Sequence, residues 1–291
     1  MNEWQDYRYS STDGLKLAGR KYGWQHRDTL PVVCLSGLSR NSADFHELAM
    51  YISAKSETPR RVLCLDYRGR GNSEYDKDWG NYNVVTEAND VVQGMIAAGL
   101  EHAAFIGTSR GGLILMALSA MKPSLMRAIV LNDIGPEIDG PGLVRIKKSL
   151  EGGLAASNWF EAGQMLKATG KKQFPKWDDG EWERQAHFVF KEEKGKFIRN
   201  YDPKLLNTLA AIDLDVRLPS LWPQFTGLSK IPMMLIRGER TDLLADKTVS
   251  KMRDIHPAME LVRVEDQGHA PDLGSEGLPA KIDAFFTKYA H

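Results

Sequence analysis

The feature that most constrains this chain is Gly107-Thr108-Ser109-Arg110-Gly111-Gly112, set between the apolar run 103–106 and a segment, 111–121, with helical periodicity. A short continuous apolar run reads as a buried strand, so the glycines stand where a strand turns directly into a helix. In so sharp a turn the serine backbone is strained, and side chains two residues before or after it would collide as strand and helix close together. The turn lifts the serine oxygen above the sheet, while the first amides of the following helix point toward developing negative charge. This strand, turn and helix form the G-x-S-x-G context of a serine nucleophile, with Ser109 as the candidate.

The remaining apolar runs supply a scaffold for that turn. They are Val32-Val33-Cys34-Leu35, Val62-Leu63-Cys64-Leu65, Ala128-Ile129-Val130-Leu131, Met233-Met234-Leu235-Ile236 and Leu261-Val262-Arg263-Val264. Most are continuous rather than alternating, as expected of strands covered on both faces. Helical periodicity separates them at 43–54, 85–98, 246–255 and 279–289, which predicts an α/β fold with a mainly parallel, doubly wound sheet. Residues 7–22 alternate around Asp13-Gly14 and predict an antiparallel hairpin at the sheet edge. Residues 136–227 break the rhythm with helix-like pieces rich in large aromatics, among them Trp159, Trp177 and Trp182. A structureless loop of that length is improbable, so 136–227 is read as a helical cap inserted into a core of 1–135 and 228–291.

Ligands of open parallel sheets bind beyond the carboxyl ends of the strands, which is where the partners of Ser109 are sought. The base is His269, in Asp266-Gln267-Gly268-His269-Ala270-Pro271 after the last strand-like run. The acid that holds its tautomer is expected to be Asp242, in the turn after 233–236, which preserves the order Ser, Asp, His. Asp133, at the end of the preceding strand, is the alternative acid. Two backbone amides are needed for an oxyanion hole, and the expected donors are Arg110 and, in Ser36-Gly37-Leu38-Ser39-Arg40-Asn41, Leu38. The Arg40 and Arg110 side chains are candidates for binding a substrate carboxylate, and Trp159 for lining an apolar pocket.

With these motifs and Asp66-Tyr67-Arg68-Gly69-Arg70-Gly71-Asn72-Ser73, similar to a D-x-R-G-x-G-x-S segment of that group, the chain resembles the α/β-hydrolase family across nearly its whole length. The resemblance implies an α/β-hydrolase sheet with a helical cap ahead of the strand that carries the acid, and a structured, non-reacting role for 66–73. It implies that Ser109 attacks an acyl carbonyl, His269 takes the proton, and water later releases the acid, with no metal or organic cofactor. Relatives commonly have His-Gly where this chain has Ser36-Gly37, so the usual histidine contacts of that loop are missing. The serine argues against the haloalkane dehalogenases and epoxide hydrolases of this fold, whose nucleophile is an aspartate. Carboxylic ester or lactone hydrolysis is the leading expectation. Carbon–carbon hydrolysis of a diketone-like metabolite, thioester hydrolysis and acyl transfer could use the same triad, and a non-catalytic ligand-binding protein could reuse the fold.

Composition narrows the partners. Lys plus Arg equals Asp plus Glu at 38 each, so no basic field is present to hold phosphates and nucleic acid is not expected. The first residues lack a signal-peptide pattern, and the longest apolar stretch, 113–121, is too short to span a bilayer. A cytoplasmic protein with no membrane partner, acting on a small-molecule acyl substrate, is the expectation; a homo-oligomer is compatible with it. Cys34 and Cys64 lie inside strand-like runs and read as reduced packing residues, without metal-ligand spacing.

Overall fold

The computed structural model describes residues 3–151, 155–211, 219–275 and 277–290, so His291 lies outside the described residues. In chain order the elements are β1 (Gln5–Ser10), β2 (Lys16–Tyr22), β3 (Val32–Leu35), α1 (His46–Met50), β4 (Val62–Asp66), α2 (Val84–Ala97), β5 (Ala103–Thr108), α3 (Arg110–Met121) and β6 (Met126–Asn132). An insertion follows with α4 (Gly140–Glu151), β7 (Ala155–Ala156), α5 (Trp159–Gly170), α6 (Asp179–Val189), β8 (Phe190–Glu193), β9 (Lys196–Arg199), α7 (Leu205–Ala210) and α8 (Trp222–Gly227). The chain then returns through β10 (Met233–Gly238), α9 (Asp246–Ile255), β11 (Glu260–Val264) and α10 (Leu278–Tyr289).

Eight strands form one sheet in the order β1-β2-β4-β3-β5-β6-β10-β11. The β1–β2 hairpin and the β2–β4 pairing are antiparallel, and the pairings from β4 to β11 are parallel. Successive residues of each parallel strand serve different layers. Leu35, Phe105, Leu131 and Leu235 join one apolar cluster, while Cys34, Ile106, Val130 and Ile236 join the other, all fully buried. Both faces are therefore covered, which is why these strands read as unbroken apolar runs. Each such side chain contributes about 1.5–3 kcal/mol by leaving water. Cys34 and Cys64 are free and sit opposite each other across β3 and β4 in the second cluster.

The loop 66–73 is a buried polar knot. Asp66 accepts from the Ser42 and Asn72 amides, and Gly71, at φ 55°, presses its backbone against that carboxylate where a Cβ would not fit. Arg68 is 1% exposed and bonds both oxygens of Asp90, at 2.7 and 2.8 Å, and Asp76 at 2.6 Å. Burial pushes the Asp90 carboxyl up and the Arg68 guanidinium pulls it back toward the ionised form. Removing one member of such a buried set leaves uncompensated charge. Arg68→Met should lower unfolding free energy by about 3–5 kcal/mol in urea titrations. Asp13→Asn, which removes only the half-exposed outer partner, should change it by under about 1 kcal/mol. Equal losses in the two variants would contradict this account.

The insertion differs in two respects from the helical cap expected over 136–227. It contains a small sheet in the order β7-β9-β8, whose β8–β9 hairpin turns at Lys194-Gly195 with both residues at positive φ. That lysine–glycine pair was the available turn signal. The last helix, α8, buries Phe225 in the first apolar cluster of the main sheet and packs on α3, so by packing it lies with the sheet rather than over it. The ends of the insertion meet where the Leu221 amide donates to the Pro136 carbonyl at 2.7 Å. Among the described residues no helix is long and apolar enough to cross a membrane.

Candidate active site

Ser109 stands between β5 and α3 with φ 51° and ψ −113°, a region that non-glycine residues seldom occupy. A Cβ on Gly107 would meet the Gly112 amide nitrogen at 2.7 Å, and one on Gly111 would meet the Leu35 carbonyl oxygen at 2.2 Å. The glycines are thus required by the approach of α3 to β3 and β5. Held this way, Ser109 Oγ lies 2.9 Å from His269 Nε2.

His269 Nδ1 lies 2.8 Å from Asp133 Oδ2, at the end of β6. Asp133 is fully buried, sits at φ 54°, and also accepts from the Gly238 amide at 2.9 Å and the Thr241 hydroxyl at 2.6 Å. These bonds fix the direction of the carboxylate. Asp242, the expected acid, is elsewhere. Its two oxygens take a bidentate bond from Arg145 of α4, at 2.6 and 2.8 Å. Burial pushes the Asp242 carboxyl up, but the Arg145 bonds and charge outweigh it and hold the group below the ordinary aspartate range. The loop after β10 is tied to the insertion by α4, whose Gly142 packs directly on the Asp242 backbone. Thr241, its neighbour, turns inward and supports Asp133 instead.

The backbone of His269 is held by a residue that sequence reasoning missed. Gln173, from the segment after α5, accepts from the His269 amide at 2.9 Å, and its side chain fills the space where Gly268 has no Cβ. No sequence signal marks Gln173; the glycine before His269 was the only hint of a close approach.

Leu38 and Arg110 flank Ser109. Arg110 opens α3, so its amide belongs to the first turn, where helix geometry supplies no acceptor. Leu38 lines the cavity above Ser109 together with Gly37. In place of a histidine, Tyr67 donates to the Ser36 carbonyl at 3.1 Å and Arg70 Nε to the Leu38 carbonyl at 2.9 Å. Arg70, fully buried, lies 2.9 Å from Glu87, and Glu87 lies 2.5 Å from Arg110. Burial pushes the Arg70 guanidinium down and Glu87 opposes it. The Leu38 loop and the start of α3 are therefore tied to one buried carboxylate on α2.

The side chains expected to touch substrate are distributed differently from the sequence reading. The Arg110 guanidinium points away from the cavity, occupied by Glu87 and by the Tyr82 carbonyl at 2.9 Å. Trp159 stacks on His187 at 3.9 Å and meets Phe197 edge-on at 4.6 Å, so it packs the insertion internally and does not line the cavity. Arg40 does line it, with its donors on Asp44 and Gln185. Phe174, Trp177 and Trp182 form the aromatic wall, and Arg145 and Arg199 contribute cationic groups that sequence reasoning did not single out. The cavity is about 250 Å³. No group of three or more His, Cys, Asp or Glu side chains suited to a metal occurs among the described residues.

Comparison with known proteins adds lineage to this geometry. A family model described as alpha/beta hydrolase fold matches residues 31–161. A 3-hydroxybutyrate-oligomer hydrolase of Cupriavidus necator is 31% identical over 266 residues, covering 88% of this chain and 88% of its own length. A 2-(acetamidomethylene)succinate hydrolase of Mesorhizobium japonicum is 24% identical over 255 residues, covering 85% and 86%. Among solved structures, an alpha/beta hydrolase from Novosphingobium aromaticivorans matches at TM-score 0.89 and 34% identity, with 99% of each chain covered.

Proposed function

This chain belongs to the α/β-hydrolase family and is a hydrolase of that type, and from that premise we propose that it cleaves carboxylic esters of small hydroxy acids through an acyl-enzyme on Ser109. The observation that supports this reading most is the continuous line from Ser109 Oγ through His269 to Asp133, at 2.9 and 2.8 Å. Similarity to a 3-hydroxybutyrate-oligomer hydrolase over 88% of both chains favours a short hydroxyacyl oligoester as substrate. The mixed polar and aromatic cavity of about 250 Å³ is compatible with such a small molecule.

In this reading His269 Nε2 takes the Ser109 proton as Oγ attacks the ester carbonyl carbon. Asp133 keeps the tautomer with the proton on Nδ1 and stabilises the imidazolium that forms. The Leu38 and Arg110 amides hold the tetrahedral oxyanion. Collapse breaks the carbon–oxygen bond, and the leaving alkoxide takes the proton from Nε2. Water, deprotonated by the same nitrogen, then attacks the acyl-serine and releases the acid while Ser109 recovers its proton. No metal or organic cofactor enters these steps.

A fluorophosphonate probe tests the centre of the proposal and separates it from a ligand-binding protein that merely shares the fold. The intact enzyme should take the label on Ser109 and release 3-hydroxybutyrate from its linear trimer. Ser109→Ala should do neither. Labelling of Ser109→Ala to the same extent, or an unlabelled and inactive intact protein, would refute the assignment.

A further inference from the structure

We propose that Arg199, at the end of β9, docks a free carboxylate of the substrate, so that this cavity selects esters that also carry an acid group. The inference rests on the ester-hydrolase reading of Ser109 and deepens it by naming what distinguishes one ester from another.

Three guanidinium groups line the cavity, and two have carboxylate partners. Arg40 is paired with Asp44 at 2.8 Å and Arg145 with Asp242 at 2.6 Å. Of the carboxylates on the wall, Asp44 belongs to Arg40, and Asp272 is bonded to Arg184 from α6. Arg199 is different. Among the described residues it has no carboxylate partner: the Ser149 carbonyl accepts from Nη2 at 3.0 Å, and the neutral Tyr201 hydroxyl is its other polar neighbour. Its Nε is shut off from solvent without a hydrogen-bond partner. Burial pushes the Tyr201 hydroxyl up, and the charge of Arg199 and a hydrogen bond with it oppose that push.

The group is also held in place. Its guanidinium carbon lies 5.7 Å from the Phe190 ring centroid, and Phe190 stands directly opposite Arg199 in the β8–β9 ladder. Stacking on an aromatic face restrains the plane and leaves the edge donors for a ligand. Arg145, one helical turn before Ser149 on α4, brings a second positive group to the same wall. The Nε donor has given up water without gaining a partner, which is unfavourable by itself, while the rest of the half-buried guanidinium borders the cavity. A carboxylate can accept charge-assisted bonds from the terminal nitrogens Nη1 and Nη2 in fork geometry, which a neutral ester or alcohol end cannot do.

The test uses the linear 3-hydroxybutyrate dimer and its terminal carboxamide, which share one internal ester bond and differ in one negative charge. The intact enzyme should favour the acid by about 10- to 100-fold in kcat/KM, mainly through KM, the range of a charge-assisted bond. Arg199→Gln should lower kcat/KM for the acid by the same factor and leave the carboxamide within about threefold. Arg199→Lys should recover part of the preference, since it retains the charge and loses the fork. A second measurement needs no variant: 3-hydroxybutyrate should inhibit carboxamide hydrolysis competitively and 3-hydroxybutyramide should not. Equal cleavage of the two dimers by the intact enzyme, or an equal fall for both in Arg199→Gln, overturns the carboxylate dock alone. If the enzyme cleaves neither dimer, the ester reading falls and takes this inference with it.

Discussion

Asp133→Asn is expected to lower kcat by about 10,000-fold while leaving KM within a few-fold, the behaviour of a triad whose histidine is held in the wrong tautomer. The carboxylate accepts a hydrogen bond from His269 Nδ1 at 2.8 Å while two further donors, the Gly238 amide and the Thr241 hydroxyl, fix its orientation. An asparagine would turn an N–H toward Nδ1 and leave Nε2 protonated, unable to accept from Ser109. Asp242→Asn removes a partly exposed pairing with Arg145, worth about 1 kcal/mol or less, and should slow turnover by no more than about fivefold. Asp242 still feels the His269 charge, so its effect need not be zero. A large loss in Asp242→Asn with little in Asp133→Asn would return the acid to the loop after β10.

Glu87→Gln should reduce both stability and turnover. Glu87 is fully buried and is the shared partner of Arg70 and Arg110. Its neutralisation leaves two buried guanidinium groups facing each other, which costs about 3–5 kcal/mol in unfolding free energy. The catalytic consequence follows from what those arginines hold. Arg70 Nε bonds the carbonyl of Leu38, and Arg110 opens α3, so the two amides proposed for the oxyanion hole are aligned through one carboxylate. Complete loss of one such donor typically removes about 100- to 1,000-fold in rate, and displacement should remove about 10- to 100-fold. Because the amides act on the transition state, the fall should appear in kcat with KM little changed. Denaturant titration and steady-state kinetics on the same sample separate the effects. A destabilised variant with unaltered kcat would show that Glu87 only holds the fold.

Much of this site was legible because its constraints are local. The clash at Gly107 is set by residues within one strand-turn-helix unit, so the turn around Ser109 could be read directly, whereas that at Gly111 comes from Leu35 on the neighbouring β3. His269 followed from chain order and a strand end. The loop 66–73 was readable as structural, and the buried Arg68–Asp90 and Asp66 contacts explain why its charged residues face inward. The insertion was less legible. Its aromatic residues signalled packing without saying which rings face the cavity, so Trp159 turned out to stack on His187 while Trp177 and Trp182 line the wall. The β8–β9 hairpin is short and mostly half-buried or exposed, and its alternation is too weak to oppose a helical reading.

The sequence by itself determined the doubly wound sheet and the strained glycine turn that carries Ser109, because each depends on neighbours along the chain: glycines around a strand-to-helix turn, and apolar runs long enough to fill two layers. Only the tertiary structure decided which carboxylate lies against His269. Asp133 and Asp242 both follow strands that are adjacent in the sheet, β6 and β10, and either could reach the histidine from its place in the chain. The choice is made by Arg145, on a helix nearly a hundred residues before Asp242. It binds one carboxylate and draws it away, while Thr241 and the Gly238 amide hold the other against the imidazole. Charge pairing between distant segments, which no local pattern encodes, sets the direction of that acid.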